Sequence, residues 1–349
     1  MDAQIRSATI KPVPGTALPV LRKGPYTSAR LVKWCAAQQN WDRIHYDLDY
    51  ARQHAGLKER VINGALKQHL LVQVLHEAFG DSAWLRRLAF KFVGPDFVGE
   101  SLEVHATVRS VEPLGAGSLI IVDLAIRNTV QQRDTTTGWA ALVVGSGPFT
   151  DAEAPMPELP AAYRFDESVT PASGPVPAAV AALLGVVGER IESAYPLDLS
   201  RLRLFADAVG GLRTLHYDLE QGRNSPYGTV VATPLFPLHA LEARPDSLPL
   251  SDDPAAMGRE GVNEIGRNLG RRCSLPESGM VNGGSDIELA SLLRLGETVH
   301  ATSMLLSANV KSSAQSGQML IVTALNTYRT SAGRLLLKEK QTGIYRNFI

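Results

Sequence analysis

An asparagine and a histidine five residues apart are the first residues of this chain that could do chemistry together. Asn40 and His45 lie in a polar stretch that follows the short apolar segment Leu31–Ala37. An imidazole titrates near neutral pH, so it can take a proton from one atom and deliver it to another, typically contributing ~10²–10⁴ in rate. An amide nearby can hold a water molecule in line. The pair is therefore a candidate for proton transfer that involves an activated water.

Each residue of this stretch also has a purely structural interpretation. A histidine beside Tyr46 and Asp47 is often hydrogen-bonded in place, and asparagine readily forms turns. The spacing from Asn40 favours catalysis for His45. Three charged neighbours are secondary candidates, and the two carboxylates among them favour loop hydrogen bonds or solvent: Asp42, Arg43 and Asp47.

A helix predicted over Ala65–Phe79 would position a third functional group. Its apolar residues recur at three- and four-residue spacing, and Gly80 can end it. The first amides of a helix have no partner within it and attract negative charge. Gly64 and Ala65 are therefore candidate donors to a developing oxyanion, although Gly64 could equally serve only a tight turn.

After this helix the hydrophobic period changes from about 3.6 to two. Four alternating segments, separated by Gly-rich or polar turns, predict an antiparallel meander. They are 88–93, 102–108, 119–126 and 139–144. One long helix followed by a meander predicts an α+β unit in which the sheet wraps around the helix.

The polar stretch is duplicated, with changes at its chemical positions. Arg30–Asp49 reappears as Arg201–Glu220, and both copies end on an aliphatic residue followed by His-Tyr-Asp-Leu and an acid. The second copy has Gly211 for Asn40 and Arg213 for Asp42. One copy is thus equipped for a reaction, and the other resembles its scaffold.

The duplication divides the chain into two units. We predict a first domain over residues 1–147, a Pro- and Ala-rich linker over 148–177 and a second domain over 178–349. The segment from His216 to the pair Gly296-Glu297 is longer than the corresponding segment of the first half, which runs from His45 to Gly99-Glu100. The difference indicates an insertion around 241–272. Pro234 and Pro237 interrupt the helical pattern in this part of the second domain.

Composition narrows the partners and the setting. The 349 residues carry 35 basic and 35 acidic side chains, and a net charge of zero argues against nucleic acid. Cys35 and Cys273 are the two cysteines, which indicates a reducing, cytoplasmic setting. No apolar run suggests a membrane span or a leader. The other histidines show no ligand spacing, so we expect neither a metal nor a cofactor.

These features together resemble a known family. A polar loop with an Ile-His-Tyr-Asp box, a Gly-led helix and a meander that opens on Pro95–Glu100 resemble the MaoC-like (R)-specific enoyl-CoA hydratases and 3-hydroxyacyl-thioester dehydratases. The match is closest to the branch similar to mesaconyl-CoA hydratase and the type 2 dehydratases, with Asn-x-x-Arg-Ile-His-Tyr-Asp at Asn40–Asp47. Three positions depart from the family patterns: Asn40 stands where the commoner signature has its catalytic aspartate, Asp42 stands for a histidine of the closer branch, and Asn63-Gly64 stands for His-Gly.

The resemblance implies a tandem double hot-dog fold and hydration of 2-enoyl-CoA thioesters, or the reverse dehydration, in the first half. His45 would be the acid–base residue, Asn40 would orient water, and Gly64 with Ala65 would bind the thioester oxygen. The partner would be acyl-CoA or an acyl carrier protein, and the chain a monomer with an internal pseudo-dimer or a homodimer. Two alternatives are a non-catalytic acyl-thioester-binding partner subunit and, third, a thioesterase, which would need a carboxylate near the helix.

Overall fold

The computed structural model describes residues 12–80, 83–145, 157–242, 280–313 and 317–346. Six α-helices lie in these ranges: α1 (Ser28–Gln38), α2 (Leu48–Gln53), α3 (Gly64–Phe79), α4 (Ala178–Ala181), α5 (Leu199–Val209) and α6 (Leu219–Arg223). Ten strands accompany them: β1 (Leu21–Lys23), β2 (Ala83–Phe92), β3 (Leu102–Leu114), β4 (Gly117–Asn128), β5 (Arg133–Val144), β6 (Ile191–Glu192), β7 (Met280–Leu289), β8 (Val299–Ser313), β9 (Gly317–Thr330) and β10 (Leu335–Arg346).

The described strands form one ten-stranded antiparallel sheet in the order β1-β3-β4-β5-β2-β7-β10-β9-β8-β6. The order is mirrored about the β2–β7 pair. Each half contributes a short edge strand, a three-stranded meander and a central strand that precedes the meander in sequence, so β2 pairs with β5 and not with β3 as a four-stranded meander requires. Alternating apolar residues give every long strand one face toward the core. The predicted tandem double hot-dog of α+β units is confirmed by this sheet.

Helix α3 is the central helix of the first half, and the sheet packs against it. Asn63 caps its start by accepting a hydrogen bond from the Ala65 amide, and Gly80 ends it at a positive φ of 60°. The helix buries leucines on most of its circumference, which is expected where a sheet curves around it. Leu66, Leu70 and Leu75 are fully buried against β3 and β4. The predicted bounds of this helix were wrong by one residue at its start.

The second half repeats the strands but departs at the helix. Where α3 begins in the first half, the second half has a 3₁₀ turn, Phe236–His239, with a proline inside it. The predicted insertion at 241–272 lies almost entirely outside the described residues, as does the first part of the predicted linker, 148–156. From residue 157 that segment packs on the sheet, with Leu159 buried against Leu119 and Val143.

Paired charges join the two halves along β2 and β7. Arg87 binds Asp286 through two hydrogen bonds of 2.8 and 2.6 Å, and Arg86 donates to the Leu289 carbonyl at 2.7 Å. A forked pair of this kind fixes register as well as charge. These arginines hold the sheet together across its middle.

Candidate active site

A backbone hydrogen bond fixes the chemical form of His45. Its Nδ1 lies 2.8 Å from the carbonyl oxygen of Val61, and the ring is buried. A carbonyl can only accept, so Nδ1 carries a proton, and in the neutral form of the ring Nε2 is the nitrogen with the lone pair. Val61 also donates its own amide to the carbonyl of Ile44 at 3.0 Å. The imidazole is therefore held by the segment that leads directly into α3, with its basic nitrogen fixed.

In the loop before His45, the side chain of Asn40 can act further only as a hydrogen-bond donor. The Asn40 Oδ1 accepts the Asp42 amide at 3.1 Å, and the Asn40 amide donates to the Cys35 carbonyl at 2.9 Å. Within the described chain, the Nδ2 group has no acceptor, and the residue is half-buried. Asn40 can therefore donate a hydrogen bond to an oxygen but does not offer a base. His45 would have to move the proton alone.

The start of α3 presents one open amide. Ala65 donates its N–H to Asn63 Oδ1 at 2.8 Å, which occupies the second of the two predicted donors. The Gly64 amide, at the first helical position, has no acceptor in the part of the chain that the structure describes. A methyl group at Gly64 would lie 2.9 Å from Cε2 of Phe92. The absence of a side chain thus lets the Phe92 ring pack against the helix start.

A buried ionic network fixes this helix start to the loop that follows β2. Lys67 Nζ lies 2.7 Å from Asp96 Oδ2, and the two side chains are 3% and 0% exposed. Asp96 also accepts from Asn128 and Thr135 at 2.7 and 2.8 Å, and its carbonyl accepts the Ile62 amide at 2.7 Å. Burial lowers the pKa of Lys67, while the Asp96 carboxylate opposes that shift.

The network was not predicted from the sequence. A lysine in the first turn of a helix resembles a surface residue, and it opposes the helix dipole. Its partner lies 29 residues away in a loop. The sequence signal for this pair was Asp96 in the Pro95–Glu100 turn. An aspartate in a turn is as often exposed to solvent as buried, so this signal alone did not predict the pair.

The secondary candidates in the loop serve as structural caps. Asp42 accepts from the Ile44 amide at the start of the 3₁₀ turn Arg43–His45, and Asp47 caps α2. The Tyr50 amide, and then the Arg43 guanidinium, hold the pKa of Asp47 below its usual range. Arg43 pairs with Asp47 at 2.5 Å. These contacts give the loop its rigidity.

The second copy of the box keeps the histidine and loses the groups around it. His216 Nδ1 lies 2.9 Å from the Val231 carbonyl, as His45 does from Val61. Three residues beyond Val231 stands Pro234, at the place that Gly64 takes three residues beyond Val61. Proline has no amide proton, so the second copy lacks the helix-start donor as well as the asparagine.

A small cavity of about 30 Å³ lies beside the second box. His76, Trp84, Arg213 and His216 are among its lining residues, whereas none of the first-half candidates contacts it. That volume holds about two water molecules, so it is too small for an acyl chain.

Within the described ranges, no three His, Cys, Asp or Glu side chains cluster as metal ligands would. None of the described helices is long and apolar enough to cross a bilayer. Burial raises the pKa of the Cys35 thiol to about 12, which makes it an inert core residue. Cys273 lies outside the described residues.

Two family models match separate parts of the chain. Residues 4–98 match hydroxyacyl-thioester dehydratase type 2, and residues 185–339 match the FAS1-like dehydratase domain region. None of the curated proteins matches the sequence. Both family descriptions are of dehydratases, so each half of the chain is similar to a dehydratase family.

Solved structures are similar along nearly the whole chain. A MaoC domain protein of Chloroflexus aurantiacus J-10-fl is 13% identical with a TM-score of 0.61, and the match covers 95% of each chain. A Mycobacterium tuberculosis protein with a double hot-dog fold is 14% identical with a TM-score of 0.55, covering 95% of this chain and 96% of the other. At these identities the similarity establishes the fold alone.

Proposed function

We propose that this chain is a hydro-lyase that adds water to 2-enoyl-CoA thioesters, or removes it from 3-hydroxyacyl thioesters, at a single site in the first half. The observation that carries the proposal is the His45–Val61 hydrogen bond, because it leaves a basic Nε2 on a fixed ring. The dehydratase family models support the reaction class. The match to the type 2 model in residues 4–98 includes both Asn40 and His45 and supports their assignment to the first half.

The proposed reaction needs one base and one oxyanion donor. Nε2 of His45 takes a proton from water as the water oxygen bonds to Cβ, and the electrons of the double bond move toward the thioester oxygen. The Gly64 amide binds that oxygen, a contact that typically stabilises the transition state by about 3 kcal/mol. The imidazolium then delivers the same proton to Cα, so atoms and charge balance. Asn40 Nδ2 donates to the water oxygen and aligns it.

The second half would act as structural support and as a wall of the acyl site. It retains the histidine–carbonyl bond but lacks the equivalents of Asn40 and of the Gly64 amide. Because β2 and β7 pair within one chain, the hot-dog pair is complete without a second copy. A monomer and a homodimer are both compatible with this arrangement. The two isolated cysteines support a cytoplasmic location.

One observation keeps a partner-subunit function as the second candidate. Asn40 and Asn63 replace residues that the similar enzymes use for chemistry, and both asparagines accept backbone amides here. A thioesterase is disfavoured, because the carboxylate nearest the helix start, Asp96, is fully buried and bound to Lys67, Asn128 and Thr135. It cannot activate water from that position.

The first test is hydration of crotonyl-CoA and of a longer 2-enoyl-CoA, followed by the loss of enoyl-thioester absorbance. His45→Ala should abolish turnover, and His216→Ala, which removes the same backbone bond in the second half, is the matched control and should leave kcat unchanged. Turnover in neither the native chain nor the control, with 2-enoyl-CoA still bound, would favour the partner subunit. Activity that is lost only in His216→Ala would place the site in the other half and refute the proposal.

A further inference from the structure

Arg133 is a cation whose side chain packs beside Gly94, at the same end of the first half as Gly64. It begins β5, and its guanidinium occupies the space where a side chain at position 94 would lie. A methyl group at Gly94 would stand 2.8 Å from Nη2 and 3.1 Å from Cζ of Arg133. A side chain at position 94 would therefore displace the guanidinium, and glycine leaves it room.

A relay of hydrogen bonds orients this guanidinium from behind. Arg133 Nε donates to Gln131 Oε1 at 2.9 Å, and Gln131 Nε2 donates to Glu100 Oε2 at 2.9 Å and to the Pro95 carbonyl at 3.1 Å. Glu100 is itself buried. Because the Nε–H is used, the two terminal nitrogens remain for a ligand. Both are on an exposed residue at the rim of the fold.

The charge around Arg133 is not balanced by the protein. No carboxylate pairs with Arg133 among the described residues, whereas Arg127 on the same hairpin pairs with Asp134 at 3.7 Å. Lys67 Nζ lies 3.4 Å from the Gly94 carbonyl, so two cations flank Gly94 and Asp96 neutralises one. The positive end of α3 adds to the excess. This corner of the molecule favours an anion.

We propose that Arg133 binds a phosphate group of the carrier to which the acyl thioester is attached. The inference rests on the proposed function and on proximity: the proposed oxyanion donor Gly64 shares the first turn of α3 with Lys67, whose Nζ lies 3.4 Å from the Gly94 carbonyl. A guanidinium with two free terminal nitrogens matches two phosphate oxygens in a planar fork. The 4′-phosphate of a phosphopantetheine arm is common to coenzyme A and acyl carrier protein, and coenzyme A has further phosphates on its nucleotide.

The test compares crotonyl thioesters of coenzyme A, of phosphopantetheine and of N-acetylcysteamine, which has no phosphate. Arg133→Ala should raise KM for the coenzyme A thioester roughly ten- to a hundredfold with little change in kcat. KM for the N-acetylcysteamine thioester should not change. Gly94→Ala, which keeps the charge but displaces it, should act in the same direction. Arg127→Ala is the matched control and should leave all three substrates unaffected.

Each outcome decides a separate question. An equal loss on the phosphopantetheine thioester assigns the contact to the 4′-phosphate, whereas a loss limited to coenzyme A assigns it to the nucleotide. Unchanged KM in Arg133→Ala, or an equal rise for the phosphate-free substrate, overturns the inference and leaves the hydratase proposal intact. If the native chain turns over none of the thioesters, the hydratase proposal fails. Calorimetry of coenzyme A binding then decides: equal Kd values for the native chain and Arg133→Ala overturn the phosphate site as well.

Discussion

The Nε2 atoms of His69 and His239 lie 2.9 Å apart, and the two histidines hold the same position in the two halves of the chain. Each stands eight residues beyond the valine whose carbonyl binds the box histidine, Val61 in the first half and Val231 in the second. The rings of Trp34 and Phe205, also equivalent by the duplication, meet at 5.4 Å beside them. The internal two-fold axis therefore passes through a pair of buried histidines.

Protonation of this pair should destabilise the folded protein at low pH. At this distance one proton lies between the two Nε2 atoms. When a second proton binds, both nitrogens carry N–H groups that point at each other. Burial lowers the pKa of His69 well below its usual value and that of His239 to about 3, with the Arg201 charge adding to the shift of His239. Lowered histidine pKa values mean stability that is present above pH 6.5 and lost as the pH falls toward 3.

We therefore expect the free energy of unfolding to fall with pH below about 6.5, by up to roughly 1.4 kcal/mol per pH unit for each histidine. Denaturant melts at several pH values should show a shallower slope for the His69→Gln/His239→Gln double variant. His105→Gln, at a histidine whose side chain is 42% exposed, is the control and should keep the native slope. An unchanged slope in the double variant would contradict the assignment.

How far the sequence predicted this architecture depends on how local each feature is. The helix α3, the strands and the Asn40–His45 loop follow from periodicity and spacing within about twenty residues. The helix was predicted to within one residue, but the first-half strands were predicted too short by up to six residues at one end. The His69–His239 contact and the Lys67–Asp96 pair join residues 170 and 29 positions apart. Residues this far apart in the sequence come into contact only because the two-fold axis and the loop after β2 bring them together. Equal spacing from Val61 and Val231 was the signal that could have revealed the first of them.

A buried carboxyl in the second half should make the protein less stable as the pH rises. Glu339 on β10 accepts Ser285 Oγ at 2.7 Å and Asn326 Nδ2 at 3.2 Å, and it is 4% exposed. Burial raises its pKa above the usual 4.5, against the effect of these two donors. A raised acid pKa gives stability that is complete below pH 4.5 and lost as the pH rises through the folded value.

Glu339→Gln removes that ionisation and keeps the shape, so we expect a higher melting temperature at pH 8 and little change at pH 4. A gain of about 1 kcal/mol would appear as roughly 2–4 °C in a chain of this size. Calorimetry at the two pH values measures the effect. Glu189→Gln, at an exposed glutamate, is the control. A lower melting temperature at pH 8 would mean that Glu339 is ionised and needed as such.

The packing of Phe92 on Gly64 gives a test of the proposed oxyanion donor. Gly64→Ala places a methyl group 2.9 Å from the Phe92 ring, so either the ring or the helix start must move. We expect kcat for crotonyl-CoA hydration to fall by about tenfold or more, since a displaced amide donor typically costs about 3 kcal/mol when lost entirely. Adding Phe92→Leu should restore part of the rate by removing the collision. Equal loss in both variants would argue that Gly64 is needed only for its backbone conformation.

A single base predicts the stereochemistry of water addition. Because Asn40 Oδ1 is occupied by the Asp42 amide, His45 Nε2 is the group that both takes the water proton and delivers a proton to Cα. One imidazole reaches one face of the planar enoyl group, so hydrogen and hydroxyl should add to the same face. Hydration of crotonyl-CoA in D₂O, with the relative configuration of C2 and C3 read by NMR, measures this. Addition to opposite faces would require a second acid and would contradict the single-base proposal. In that case Asn40→Ala would reduce only the rate of water attack.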